Sequence, residues 1–294
     1  MSLIHSRNRR NVISGYLFLS PSIIILLVVV VFPILYVIFF SFSKFNYGQR
    51  TGFNGLNNYL TILTDPNFYV SLKATVVFTL GSVVGQVLLA IVFAVVINSL
   101  KKAEGGIRLF VIMPYMVSMV AVGVTFRWML NTEFGIVNFL LLSLGLIRQP
   151  INFLGDPTLA MASLVTAHLW ASAPFATLII LAGIKSISSE IYESAEIDGA
   201  GFFRCFFSIT LPLIRQQIFI VMLIQTMFSF RHFPLPYSMT GGGPGMTTKM
   251  LAVLLKEKMS YLDYGYNSGL SVIMLVITLV IAWFYLEIMS KSKI

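Results

Sequence analysis

Charge is what this chain has least of. Asp, Glu, Lys and Arg make up 11% of its 294 residues, and 57% are hydrophobic. A soluble domain carries about 25% charged residues. So few charges cannot clothe a surface in water, and the solvent for most of the chain is lipid. A single cysteine, Cys205, excludes an internal disulfide and a cysteine-based metal cluster. The three histidines, His5, His168 and His232, fall at no metal-ligand spacing. No nucleophile–base pair stands out either, so the sequence offers no catalytic constellation and is not expected to be an enzyme.

What is present is apolar sequence in long runs. A membrane helix needs roughly 20 mostly apolar residues. Six stretches qualify, at about 15–40, 74–98, 109–130, 160–182, 212–231 and 268–289. The first follows Arg7, Arg9 and Arg10 as a signal peptide would. It is longer than the 7–15 apolar residues of a signal core, and no small-residue cleavage site follows, so a retained span is expected. The formal net charge is +9. Its basic residues occupy the gaps between apolar runs, which points to topology and lipid headgroups rather than nucleic acid. Arg7, Arg9, Arg10, Lys101, Lys102, Arg108, Lys185, Arg204, Arg215, Lys291 and Lys293 are concentrated in short loops and tails on one side. By the positive-inside rule that side, with both termini, is cytoplasmic.

One cytoplasmic segment is different. Glu190, Glu193, Glu196 and Asp198 fall within nine residues, in a chain with eleven Asp and Glu altogether. Ser188 or Ser189 is placed to cap a helix whose early carboxylates favour its positive amino end. Gly199 and Gly201 permit a change of direction. Phe202, Phe203, Phe206 and Phe207 then recur at helical spacing and are expected to grip the bundle. An interfacial helix meeting anionic lipid favours Lys and Arg; an acidic start favours a protein partner.

Glu193-Ser194-Ala195, three residues, Gly199, nine residues and Ile209-Thr210-Leu211-Pro212 resemble the EAA motif of ABC importer permeases. Ser194 departs from the usual alanine, small for small. "YESAEIDGAGFF" is similar to the maltose and glycerol-phosphate branch of that family. "FNGLNNY" (53–59), "MPY" (113–115) and "TGGGP" (240–244) match it too. The resemblance implies an all-α membrane protein with six transmembrane helices, the type I ABC importer permease fold. It implies one permease domain over residues 1–294, with a cytoplasmic coupling-helix segment at 186–212. Glu193, Ala195, Asp198, Gly199 and Ala200 would meet an ATPase. The implied partners are a second six-span permease, two ATPase subunits that carry ATP and Mg, and an extracytoplasmic solute-binding protein. The implied location is the inner membrane of a bacterial cell. The chain itself would bind no cofactor. "GGGPGMTTK" lacks the G-K-[ST] ending of a phosphate-binding loop and reads as an external turn.

A polyhydroxylated solute needs hydrogen-bonding groups near mid-membrane. Gln86, Tyr115, His168, Trp170, Ser172, Gln225 and Ser229 are candidates. The resemblance selects Tyr115, His168, Ser172, Gln225 and Ser229 as solute-lining. His168 with Ser172, and Gln225 with Ser229, each share a helix face at i, i+4, and any of them can equally make a helix–helix hydrogen bond. A carbohydrate is the expected solute, with glycerol phosphate or a polyol as the alternative. An ion-coupled carrier fits less well, because the span centres carry no carboxylate.

Overall fold

The computed structural model describes residues 18–100 and 104–291. Arg7, Arg9, Arg10, Lys101, Lys102 and Lys293, on which the charge-topology argument drew, lie outside the described residues. Among the described residues, four helices are long and apolar enough to cross a membrane: α1 (Phe18–Ser41), α3 (Pro66–Ser99), α7 (Pro157–Lys185) and α13 (Tyr264–Lys291). Two bent pairs bring the possible number to six: Leu109–Met116 with Met119–Met129, at 94°, and Phe202–Leu213 with Arg215–Phe230, at 62°. Short helices α2 (Asn57–Thr64), α4 (Glu104–Ile112), α5 (Met119–Met129), α6 (Ile136–Ser143) and α8 (Ser189–Ile197) stand between them. The remaining helices are α9 (Phe202–Leu213), α10 (Arg215–Phe230), α11 (Pro234–Met239) and α12 (Leu251–Met259).

The second span starts eight residues earlier than hydropathy alone suggests. Asp65 accepts a hydrogen bond from the Asn67 amide and Pro66 takes the first helical position, so the helix begins at the cap. Asp156 does the same for α7, accepting from the Thr158 and Leu159 amides. At 34 residues α3 is about 51 Å long, well beyond the ~30 Å hydrocarbon layer. The fifth span differs more. Helix is already formed at Phe202, so Pro212 does not open a helix; it lies inside one and follows a π-helical stretch at Phe206–Thr210. Proline has no N–H for the carbonyl four residues back, here that of Ser208, and the wider π turn absorbs the mismatch. Pro33 follows the π stretch Leu27–Val31 in the same way.

Two compact units divide the chain. The first holds residues up to 64 and 257–273. It contains a hairpin that an all-helical reading omits, with β1 (Ser43–Asn46) antiparallel to β2 (Gln49–Phe53). The two-residue turn has Tyr47 at φ 47° and Gly48 at φ 82°, as a primed hairpin turn demands. Asn58 fixes the hairpin to the end of α1, donating to the carbonyls of Ser41 and Ser43 at 2.8 and 2.9 Å. Tyr59 donates to Ser41 Oγ at 2.6 Å. The "FNGLNNY" segment is thus a clasp.

The second unit, 65–256 with 274–294, holds the bundle. Helices α3 and α7 form its most extensive contact. They approach closely because their facing residues are small: Ala90, Ala94, Ala167, Ala171 and Ala176 are fully buried. A methyl group at Gly85 would lie 2.7 Å from Leu169 Cδ1. In lipid, where apolar burial drives no association, such packing is what joins helices. The other face of α3, Leu80, Val84, Leu88 and Val92, is apolar and exposed, as lipid requires. Two apolar clusters result. One gathers Phe78, Val122, Leu164, Leu235 and Met250; the other gathers Ile97, Ile180, Ile184, Ile214 and Val221.

Thr75, on α3, accepts the Leu251 amide at 2.9 Å while donating to the Ser71 carbonyl at 2.7 Å. Thr75→Val orphans a buried N–H at a cost of about 1–3 kcal/mol. We expect a lower thermal midpoint in lipid nanodiscs for this variant, with Thr75→Ser retaining the wild-type value.

Candidate functional site

Between the two apolar clusters runs a belt of neutral polar side chains. Each of three helices supplies part of it: Thr79, Ser82 and Gln86 from α3, His168 and Ser172 from α7, Gln225 and Ser229 from α10. All seven are buried. His232, just past the end of α10, joins them. Gln86 Nε2 lies 3.0 Å from His168 Nδ1, across 82 residues of sequence. The His168 ring centroid is 4.7 Å from that of His232 and 5.1 Å from Phe78, and Phe78 stacks on His232 at 6.0 Å and 18°.

Several polar atoms of the belt have no partner: Thr79 Oγ1, Ser82 Oγ, Gln86 Oε1, Ser229 Oγ and His232 Nε2. Each costs about 1–3 kcal/mol if it is buried and left unmet. These hydroxyl, amide and imidazole groups suit a hydroxylated solute or water better than an ion. Among the described residues no group of three or more His, Cys, Asp and Glu is placed to hold a metal.

Four of the five solute-lining candidates, His168 and Ser172 on α7 and Gln225 and Ser229 on α10, are buried, on two helices that contact one another. Tyr115 stands apart from them, 46% exposed and stacked on Phe175 at 5.4 Å and 17°. It belongs to the short turn Met113–Met116, immediately before the 94° break. Trp170 is equally half-exposed, tilted against Phe126 at 5.9 Å. It lines a 480 Å³ cavity with Phe93, Phe110, Pro114 and Pro174. The sequence reading passed over His232. Counting three residues on from Ser229 would have flagged it, because that step returns to the same helix face.

The acidic segment folds as a separate small element. Ser188 caps α8, accepting from the Glu190 amide at 3.4 Å. The Ala200 amide donates to the Ala195 carbonyl at 2.8 Å and the Gly199 amide to that of Glu196 at 3.0 Å. With Gly199 at φ 75°, this is a Schellman end, which reverses the chain and satisfies the last carbonyls. Gly201 has φ −74°, open to any residue, so the turn depends on Gly199 alone. Glu193, Asp198 and Gly199 are exposed, while Ala195 and Ala200 are half-buried. Tyr192 Oη lies 2.9 Å from Thr210 Oγ1 and ties α8 to α9. Phe202, Phe203 and Phe207 do not bury themselves as the spacing suggested. They remain largely exposed and line an apolar groove with Val92, Val95 and Val96 of α3.

The glycine-rich loop closes on itself. Thr248 Oγ1 donates to the Gly243 carbonyl at 2.6 Å and lies 2.7 Å from Thr240 Oγ1. Thr240 Oγ1 also accepts the Gly242 amide, at 3.3 Å.

Residues 86–289 match the family model described as the binding-protein-dependent transport system inner membrane component. The chain is 34% identical to the trehalose/maltose transport system permease protein of Thermococcus litoralis, over 93% of this chain and 92% of that one. It is also 34% identical to the sulfoquinovosyl glycerol transport system permease protein of Agrobacterium fabrum, over 94% and 90%. Its fold is that of a chain in the crystal structure of a bacterial alginate ABC transporter in complex with alginate pentasaccharide-bound periplasmic protein. The TM-score there is 0.83, with 22% identity over 95% of this chain and 94% of that one.

Gly199→Ala places a Cβ in the left-handed region at a cost of about 1–2 kcal/mol. Hydrogen exchange at the Ala200 amide is expected to quicken by about five- to thirtyfold, while Gly201→Ala leaves it unchanged.

Proposed function

The chain belongs to the binding-protein-dependent transport system inner membrane components, and from that membership we propose that it is the permease subunit of an ATP-driven carbohydrate importer. It crosses the inner membrane of a bacterial cell six times, both bent pairs counting as spans, with both termini cytoplasmic. It forms half of the translocation path beside a second six-span permease. An extracytoplasmic binding protein delivers the solute, and two ATPase subunits on the cytoplasmic side hold ATP and Mg. This chain performs no chemistry of its own.

The carrying observation is that the matched region, 86–289, contains the exposed acidic helix and every residue of the neutral polar belt from Gln86 onward. The belt supplies hydrogen-bonding groups without net charge, which suits a sugar. The relatives named for trehalose/maltose and for sulfoquinovosyl glycerol support that solute class. The acidic helix supplies the mechanical contact. Residues 186–212 dock on an ATPase through Glu193, with Asp198 beside it, and Ala195, Gly199 and Ala200 allow close approach. Force on α8 reaches the bundle through the Tyr192–Thr210 contact and α9, and the 62° break after Leu213 is the place where α9 can move against α10. Tyr115, at the other break, is placed to meet the solute when the buried residues His168, Ser172, Gln225 and Ser229 open to the path.

Reconstitution of the chain with its ATPase and permease partners in proteoliposomes tests this. Solute uptake should require ATP and the loaded binding protein and should survive an ionophore. Glu193→Lys should lower uptake at least about tenfold, the equivalent of one charge-assisted hydrogen bond, with the protein still inserted. Uptake that proceeds without ATP and collapses with the ionophore would overturn the importer reading.

A further inference from the structure

We infer that Gln86 is a positioning residue for His168. Its side-chain amide donates to Nδ1, so the imidazole carries its one proton on Nε2 and faces the translocation path as a hydrogen-bond donor. The functional half of this inference rests on the reading of His168 as solute-lining.

The argument starts from the 3.0 Å contact between Gln86 Nε2 and His168 Nδ1. An amide nitrogen is only a donor, so the ring nitrogen opposite it must present a lone pair. The reversed amide would put Oε1 against Nδ1 and bury an NH₂ with two unmet donors. The orientation observed leaves one unmet N–H and one unmet carbonyl oxygen, Gln86 Oε1, in place of two unmet N–H groups. A buried carbonyl is left under-satisfied more readily than a buried N–H, and the observed orientation is the less costly one. An imidazolium is excluded by the same contact, since its Nδ1–H would point at the amide NH₂.

The neighbours hold the ring in place. Phe78 and Gln86 share one face of α3, eight residues apart, and Ser82 stands midway between them. Its small side chain leaves room for the imidazole, with Phe78 against one side of the ring and Gln86 at Nδ1. His232 closes the cluster with a buried, unpartnered Nε2. By the same reasoning that atom is a lone pair, not an N–H, and His232 carries its proton on Nδ1. Two uncharged rings then lie side by side at 4.7 Å, an arrangement two charged ones could not keep. A donor-only His168 reads an oxygen lone pair, such as a hydroxyl, acetal or ring oxygen of a carbohydrate. At His168 Nε2 itself an N–H group on a solute finds no acceptor.

The chain has three histidines, so ¹⁵N-histidine labelling of this chain alone, assembled with unlabelled partners in lipid, gives a spectrum simple enough to assign. His5→Gln and His232→Asn variants identify the signals. The wild type is expected to show a single His168 species with Nδ1 bare and Nε2 protonated. In Gln86→Glu a carboxylate faces Nδ1, and the proton should appear on Nδ1. In Gln86→Leu both tautomers should be seen. A wild-type His168 protonated at Nδ1, or a tautomer indifferent to both substitutions, would overturn the inference. The wild-type measurement needs no variant to fold. None of these spectra requires a solute or ATP, so failure here is distinct from failure of the importer reading.

Discussion

Lipid offers a membrane-embedded bundle no hydrogen-bonding partner for its polar groups, and the architecture of this chain follows from how it meets that constraint. Helices α3 and α7 pack on a seam of alanine and glycine, so their backbones approach closely. At the centre of that seam the contact between Gln86 and His168 joins them. Apolar clusters seal the seam above and below, and α10 adds Gln225 and Ser229 from a third side. The belt keeps several of its own atoms unpaired. A core shaped by stability alone would have replaced them with apolar groups; on the proposed function they are the groups that would meet a hydroxylated solute.

The acidic element solves the opposite problem, holding an exposed shape without a core. Its short helix is fixed at one end by the Ser188 cap and at the other by the Gly199 turn. These are local devices that do not depend on the bundle. The π-helical stretch ahead of Pro212 and the break after Leu213 lie between this element and α10.

The spans that run uninterrupted were readable to within a few residues at most ends, because hydropathy over 20 residues is a strong signal. Their exact starts are set by caps that hydropathy ignores, Asp65-Pro66 and Asp156-Pro157, and so were missed by eight and three residues. The bends were not visible. At 109–130 the apolar pattern continues through Val117 and Ser118, where the backbone turns by 94°. Proline marks many such sites, but Pro212 lies inside a helix and the break falls after it. The site divided in the same way. The i, i+4 spacing of His168 with Ser172 and of Gln225 with Ser229 placed each pair on a face, yet spacing says nothing about which face is buried. Gln86 and His168 are 82 residues apart. Only folding shows that they meet.

The central claim is that the acidic helix touches the ATPase, and cross-linking tests it most directly. In a Cys205→Ser background, a cysteine is introduced as Glu193→Cys and the assembled complex is treated with a short thiol cross-linker against single cysteines in the ATPase subunit. The account predicts a cross-link from position 193 whose yield changes when ATP is bound, and none from a control Tyr47→Cys in the hairpin turn. A complex that cross-links from position 47 and never from 193 would contradict it.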